Sequence, residues 1–277
     1  MLKDKNYSDI TTDNSQEEVV TVRLAENSAE IEEAQRLRYE VFYEEYGAVA
    51  NDIMRNSRMD MDEYDEFADH LVVVDNSHGD KERIVGTYRL LQREGASKVG
   101  QFYSESEYDI APLLNSDKSL LELGRSCVLP DFRTRPVLQL LWQGIADYIS
   151  DFDIDLMFGC ASLHSTDIKS ISKPLSYLHH YHLSPETIRP RALKGRYINM
   201  DIIPQDDINA RRVFAELPPL IKGYLRVGAS IGDGAVIDEQ FNTTDVCIVV
   251  QTHLVTDRYR KHYERKIQKT IPGRENL

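Results

Sequence analysis

The chain lacks the features of secreted and membrane-spanning proteins. Its three cysteines, Cys127, Cys160 and Cys247, lie far apart in apolar runs without a CxxC pair, so we expect buried free thiols rather than disulfides or a zinc site. Residues 1–18 contain no apolar segment of the signal-peptide type. No apolar run approaches the ~20 residues that span a bilayer. These absences predict a cytoplasmic protein, with room for no more than peripheral contact at the inner face of the membrane.

Positive charge is also scarce. The 277 residues include 33 Lys and Arg against 46 Asp and Glu, which gives a formal net charge of −13. Nucleic-acid-binding proteins concentrate positive charge, so this balance argues against nucleic acid as a partner. The apolar content of 41% and charged content of 29% are ordinary for a globular domain.

The hydrophobic pattern mixes strands and helices. Ser28 is a plausible N-cap for a helix that follows a strand at 19–27 and continues to Gly47. Further strands are predicted at 70–75, 83–92, 120–128, 154–163, 196–202 and 244–251, and further helices from about 136 to 149, at 170–183 and at 206–217. This order predicts an α/β fold with a mixed sheet flanked by helices. We expect a flexible leader at 1–18 and one domain at 19–277, elaborated from about residue 205.

The segment LLELGRSCV, residues 120–128, places charges inside an apolar strand. Strict alternation would direct Glu122 and Gly124 to one face, and Arg125 and Cys127 to the other. Glu122 then lies either on a solvated face or at the floor of a cleft, where partial burial would raise its pKa and make it a usable base. Gly124 is typical of a bulge or of a close approach by a ligand.

The loop PDFRTRPV, residues 130–137, links this strand to a helix that begins near Pro136. A helix N-terminus offers free N–H groups to an anion. Arg133 and Arg135 add two cations whose forked geometry suits phosphate. The loop therefore predicts a phosphate site, with a pair of ordinary surface arginines as the alternative.

Strand, arginine loop and helix together resemble the GNAT acyltransferase fold. In that family the corresponding loop grips the phosphates of a pantetheine carrier, usually through the glycine-rich pattern Q/R-x-x-G-x-G/A. Residues 133–138 read RTRPVL and contain neither glycine, which leaves room for a donor other than acetyl-CoA. The segments at 36–47, 62–73 and 122–128 resemble motifs of acyl-homoserine-lactone synthases, which use acyl-acyl carrier protein, although Gly124 replaces the serine that those enzymes prefer.

The segments at 156–167 and 217–250 resemble ornithine N-acyltransferases, which make lyso-ornithine lipid from 3-hydroxyacyl-acyl carrier protein. The resemblance extends over roughly residues 19–265. It implies a GNAT-like fold and transfer of an acyl chain to the α-amine of ornithine. It also implies no tightly bound cofactor beyond the carrier's 4'-phosphopantetheine arm. The alternatives are another amine acceptor, a lactone synthase, or a non-catalytic protein that binds acylated carrier.

The resemblance assigns roles to several residues. Glu122 is the expected base, acting directly or through water, and backbone N–H groups near Cys127 and Val128 are the expected oxyanion donors. A nucleophilic Cys127 is a competing hypothesis that lacks an evident histidine partner. The residues carried over to the amine site are Arg38, Asp62, Asp65, Arg125 and Glu122.

Arg38 lies on the apolar stripe of the first helix and needs a carboxylate partner. Asp62, Asp65 or Glu122 could provide it. For Asp62 and Arg125 the alternative role is a structural ion-pair network without substrate contact.

Acyl carrier proteins are acidic, so a docking surface should be basic. The expected carrier-binding residues are Arg133, Arg135, Arg189, Arg191, Lys194 and Arg196. A further basic group at 258–266 is predicted to form a solvated helix face or to contact anionic lipid.

The histidines are not expected to bind metal. Helix geometry should direct the adjacent His179 and His180 to different faces, and His164 is interpreted as a hydrogen-bonded loop histidine rather than a second acid–base group. We therefore predict no metal site.

Overall fold

The computed structural model describes residues 20–77 and 82–255, with only the backbone of Arg135. Its nine strands form one mixed sheet in the order β1-β2-β3-β5-β6-β9-β8-β7-β4. The strands are β1 Val20–Leu24, β2 Asp69–Asp75, β3 Arg83–Gln92, β4 Tyr108–Asp109, β5 Leu120–Val128, β6 Leu156–Leu163, β7 Arg191–Ala192, β8 Ser230–Asp238 and β9 Thr243–Gln251.

Eight α-helices accompany the sheet in the described part of the chain. They are α1 Ser28–Tyr39, α2 Asp52–Ser57, α3 Arg93–Val99, α4 Ala111–Leu114, α5 Arg135–Asp151, α6 Ser172–His182, α7 Ala210–Glu216 and α8 Pro219–Val227. A π-helical turn, Glu40–Glu45, extends α1. No helix of the described residues is long and apolar enough to cross a bilayer.

The helices cover both faces of the sheet. Tyr88 of β3 points towards α8, where its hydroxyl lies 2.6 Å from the hydroxyl of Tyr224. The next residue, Arg89, points to the opposite face, where it meets the aspartate that pairs with α1. Successive side chains of a strand alternate between faces, so α1 and α8 lie on opposite sides of β3.

Strands β5 and β6 separate after a short parallel contact. Within the described residues their pairing joins Leu120–Glu122 to Leu156–Phe158 and goes no further. A Cβ on Gly159 would lie 2.2 Å from the carbonyl oxygen of Leu123, so only glycine fits where the two strands diverge. The divergence opens a gap in the centre of the sheet.

A bulge in β5 accompanies this gap. Arg125 has a left-handed φ of 51°, and the register with β3 passes from Arg89 opposite Gly124 to Thr87 opposite Cys127. Two residues of β5 therefore face one of β3, as in a β-bulge. The expected strict alternation along β5 was wrong because the bulge re-aims Arg125, whereas the expectation of a bulge beside Gly124 was correct.

Most predicted elements are present, some shorter and some longer than expected, and two details needed correction. The first helix is capped by Asn27, whose side chain accepts a hydrogen bond from the N–H of Glu30, and not by Ser28. Residues 196–202 form no strand, since their contact with β8 is one isolated bridge between Ile198 and Ala235. Beyond residue 205, β9 pairs with β6 along its whole length and so belongs to the central sheet. The leader at 1–18 and the group at 258–266 lie outside the described residues.

Candidate active site

A cavity of about 320 Å³ opens where β5 and β6 diverge. On the α5–α8 face its lining is mainly apolar: Leu138, Leu141, Trp142, Met157, Leu220 and Tyr224. On the α1 face its lining is mainly polar: Arg89, Tyr103, Glu122, Arg125, Asp238 and Asp245. The cavity thus has an apolar arm and a polar arm, joined through the gap in the sheet.

A buried ion-pair network borders the polar arm. The side chain of Arg38 is 0% exposed, and it lies 2.9 Å from Asp60 Oδ2 through Nε and 2.6 Å from Asp65 Oδ2 through Nη2. Arg89 contacts Asp65 at 3.1 Å and also pairs with Asp62. A third arginine completes the network. Three arginines then face three aspartates, and the charges balance.

The third arginine is Arg125, placed here by the bulge. Its Nε lies 3.1 Å from Asp60 Oδ2 and its Nη2 lies 3.0 Å from Asp62 Oδ2. Burial opposes ionisation of Asp65, but the hydrogen bond and charge of Arg38, with the charge of Arg89, hold the pKa of that carboxyl below its usual value. The carboxyl of Asp65 is therefore charged at neutral pH, where it faces Arg38 and Arg89.

The network contains all four predicted substrate-binding residues and two that the sequence analysis missed. Asp65 was one of the three expected partners of Arg38; Asp62 and Glu122 are not its partners. Asp60 and Arg89 were missed, because nothing in MDMDEYDE or GTYRLLQ distinguishes a buried charge from an exposed one. Arg89 and Arg125 also line the cavity.

Glu122 lies in the interior at 4% exposure, which excludes the solvated face. Its carboxylate accepts hydrogen bonds from the backbone N–H of Tyr103 at 2.9 Å and of Ser104 at 2.7 Å. Both donors belong to a 3₁₀ turn, Tyr103–Ser106. Burial raises the pKa of Glu122, and the hydrogen bonds with Ser104 and Tyr103 offset part of that rise. Glu122 therefore lines the cavity as a buried carboxyl with a raised pKa.

The end of β5 lines the cavity with Cys127 and Val128. The thiol of Cys127 is buried, and burial raises its pKa far above the usual value. A thiolate is the reactive form of cysteine, so this environment disfavours Cys127 as a nucleophile.

Comparison with known proteins identifies the family. The description "Acetyltransferase (GNAT) domain" matches residues 37–143. An L-ornithine N(alpha)-acyltransferase of Rhodobacter capsulatus is 42% identical over 249 residues, covering 89% of this chain and 95% of that protein. One of Brucella abortus is 46% identical over 246 residues, covering 87% and 88%.

The chain belongs to the L-ornithine N(alpha)-acyltransferase family. It is an acyltransferase with a GNAT-type α/β fold. Among solved structures, the acyl-homoserine-lactone synthase LasI covers 92% of this chain and 98% of its own, at 11% identity and a TM-score of 0.46.

One of the two expected phosphate-binding arginines, Arg133, has other contacts in the described chain. Arg133 forms a fork with Glu45, with N–O distances of 2.6 and 2.5 Å, and its Nε donates to the carbonyl of Val128 at 3.0 Å. Its guanidinium also lies over the ring of Tyr46. Arg133 thus joins the cavity to the π-helical turn. The side chain of Arg135 lies outside the described atoms.

The second basic group lies at the sheet edge around β7. Arg189 donates to the carbonyl of Ser184, Arg191 pairs with Asp233 at 3.3 Å, and Arg196 donates to two backbone carbonyls. Lys194 is exposed. None of these four lines the described cavity, so the structure places them apart from Arg133.

The histidines differ from expectation in one respect. His179 and His180 lie with ring centroids 5.2 Å apart, and their ligand atoms and a carboxylate oxygen of Asp201 lie within 4.8 Å of one another. The expectation that they diverge was wrong, because both rings turn towards the loop that contains Asp201. His164 lines the cavity beside Tyr46, and burial lowers its pKa, which keeps its imidazole neutral.

Proposed function

We propose that this protein transfers a 3-hydroxyacyl or related acyl chain from acyl carrier protein to the α-amine of ornithine, giving lyso-ornithine lipid. The two-armed cavity is the observation that carries this proposal. The family relatives are named for the ornithine reaction, and the apolar arm suits an acyl chain, while the polar arm suits an amino acid. The carrier's phosphopantetheine arm would bring the thioester to the gap between β5 and β6.

The reaction joins the acceptor nitrogen to the thioester carbonyl carbon and breaks the carbon–sulfur bond. The neutral α-amine attacks, and the tetrahedral oxygen accepts hydrogen bonds from backbone N–H groups near Cys127 and Val128. Glu122 takes the proton that the nitrogen loses, directly or through water. The carrier leaves as a free thiol after gaining a proton.

The ion-pair network would hold the catalytic backbone in place. Arg125 ties the bulge of β5 to Asp60 and Asp62, and Arg38 anchors Asp60 to α1. The amine acceptor would approach past Arg89 and Arg125, which line the polar arm. In this arrangement the network would both support the site and contact the substrate.

The central experiment incubates the purified protein with 3-hydroxyacyl-carrier protein or 3-hydroxyacyl-CoA, and with ornithine, glycine, tyrosine or S-adenosylmethionine. Mass spectrometry then identifies the product. We expect N-acylornithine, formed faster from the carrier protein. Absence of acylated ornithine with every donor would overturn the function, and equal rates with both donors would overturn the carrier assignment.

Glu122→Gln tests the base. General-base catalysis contributes roughly 10²- to 10⁴-fold, so turnover should fall by at least about 100-fold while carrier binding stays intact. Asp131→Asn, on the exposed loop after β5, is the matched charge-removal control. A fully active Glu122→Gln enzyme would remove Glu122 from the mechanism.

Charge reversal at Arg133 and Arg135 tests the carrier site. It should raise KM for the acyl-carrier donor far more than KM for ornithine. Because reversal at Arg133 also breaks its pair with Glu45, Glu45→Gln serves as the control that removes the pair but keeps the cation. Equal effects on both substrates, or the same donor effect in the control, would contradict a carrier-binding role.

A lipid product also favours peripheral contact with the inner face of the membrane. Co-sedimentation of the full chain with vesicles of anionic phospholipid tests this contact, with neutral vesicles as the control. Equal recovery in the supernatant of both would contradict it.

A further inference from the structure

The polar arm contains carboxylates that the ion-pair network does not neutralise. Asp238 and Asp245 line the cavity, and Glu107, which is outside the lining, lies beside Asp245 and Cys160. Within the described residues, the ion pair recorded for this group joins Glu107 to Arg196, at 3.8 Å. Negative charge is therefore in excess at this end of the cavity, in contrast to the three matched pairs beside it.

Glu107 supplies an unused hydrogen-bond acceptor. Its side chain is 1% exposed, and among the described residues its Oε2 has no hydrogen-bond partner. A carboxylate oxygen of Glu107, one of Asp245 and the sulfur of Cys160 lie within 4.8 Å of one another. A buried acceptor without a donor is costly to the fold, and such a group indicates a ligand that supplies the donor.

We propose that Glu107 and Asp245 bind the side-chain ammonium of the amino-acid acceptor. This inference rests on the proposed function and adds the residues that select ornithine. An ammonium offers three N–H donors and a positive charge, so one group can satisfy both carboxylates at once.

The proposed ammonium site adjoins the proposed base. Ser104 donates its backbone N–H to Glu122 at 2.7 Å, and its hydroxyl lies 3.7 Å from the sulfur of Cys160. A single residue thus separates Glu122 from the group formed by Glu107 and Asp245.

The pKa values of the two carboxyls agree with a cation-binding role. Burial, followed by the charge of Asp245, raises the pKa of Glu107 to about 7. Burial also raises the pKa of Asp245 to about 6, against the hydrogen bonds of Thr243 and Ser162. Asp238 adds to both rises, and Arg196 offsets them in part. A bound ammonium would stabilise both carboxylates in their charged form.

The test compares ornithine with norvaline, which has the same carbon chain but no δ-amine. Kinetics are measured on the full-length enzyme with saturating acyl-carrier protein, for wild type, Glu107→Gln, Asp245→Asn and the control Glu239→Gln. Glu239 is exposed and follows Asp238 in the same hairpin, so its replacement removes one charge nearby without touching the cavity.

We expect each cavity variant to raise KM for ornithine by roughly 10- to 100-fold, as for loss of a charge-assisted hydrogen bond. The value of kcat should change less than about threefold, and norvaline kinetics should not change. The preference of wild type for ornithine should therefore collapse in both variants and persist in the control.

Equal losses with ornithine and norvaline would show a structural role and overturn the subsite. Wild-type enzyme that acylates both acceptors equally well would also overturn it, while leaving the proposed function intact, and this comparison needs no variant to fold. Wild-type enzyme that acylates neither would instead refute the proposed function. If the variant effects vanish when a chelator is present, the group binds a divalent cation and the ammonium assignment fails.

Discussion

Replacing Glu107 by glutamine should stabilise the protein at and above neutral pH. The folded protein holds the pKa of Glu107 at about 7, raised from 4.5 by burial and by Asp245. The unfolded chain releases this proton near 4.5. Between these values the folded state binds more protons, so the free energy of unfolding falls as pH rises. Glutamine is neutral throughout and removes that loss.

The rise in the pKa of Glu107 sets an upper limit on the stability that the substitution can add. Each pH unit corresponds to about 1.4 kcal/mol, so the full rise in pKa corresponds to about 3 kcal/mol. The contribution of Glu107 to stability is complete below pH 4.5 and is lost by about pH 7. We therefore expect the difference in free energy of unfolding between Glu107→Gln and wild type to grow by about 2–3 kcal/mol, in favour of the variant, from pH 5 to pH 8.

Urea unfolding of both proteins at pH 5, 6, 7 and 8 measures this difference. The histidines His70, His164 and His182, whose pKa values are lowered by desolvation, give the opposite slope but contribute equally to both proteins. Glu239→Gln should run parallel to wild type. A stability difference that stays constant or shrinks as pH rises would refute the reasoning about the buried carboxylate.

Three further substitutions test other parts of the site. Arg38→Met should cost about 3–5 kcal/mol in urea unfolding, because it removes one of the two arginine partners of Asp60 and of Asp65 and leaves a buried negative charge uncompensated; a loss under 1 kcal/mol would contradict this. Gly159→Ala should lower stability by about 1–3 kcal/mol and also lower turnover, because its Cβ would meet the carbonyl of Leu123; a neutral result in thermal unfolding would show that β5 and β6 are not held so closely. Cys127→Ala should keep turnover within about threefold, because burial raises the pKa of the thiol; a 100-fold loss would restore the nucleophile hypothesis.

The elements that could be predicted from the sequence are those whose side chains are nearly all buried. β2, β3 and β9 follow from continuous apolar runs, because both faces of these strands are buried. β8 was missed because Gly232, Asp233 and Gly234 interrupt its alternation. Those glycines reflect close approach to neighbouring segments, since added Cβ atoms would meet the carbonyl of Pro190 and the ring of Tyr197, and no local pattern reveals such contacts.

The site was predictable only where one segment carries it. Glu122 and Arg125 stood out as charges within an apolar strand. The group formed by Glu107 and Asp245 did not, because it joins the segment before β4 to β9 across 138 positions of sequence. Asp245 begins an apolar strand, where a carboxylate also fits a strand end, and Glu107 lies in an acidic run that is equally typical of a solvated loop. Only the folded chain shows that both carboxylates share one buried space.

The bulge at Arg125 connects the network to the chemistry. A left-handed conformation costs a non-glycine residue on the order of 1 kcal/mol, and glycine could adopt it without that cost. Arginine holds the position because Asp60 and Asp62 pair with its guanidinium there, and removing it would leave one buried negative charge uncompensated in the network, at a cost of about 3–5 kcal/mol. The ion pairs therefore outweigh the backbone strain and fix the bulge. The bulge also interrupts the regular pairing of β5 beside the cavity. The proposed thioester must lie at this point.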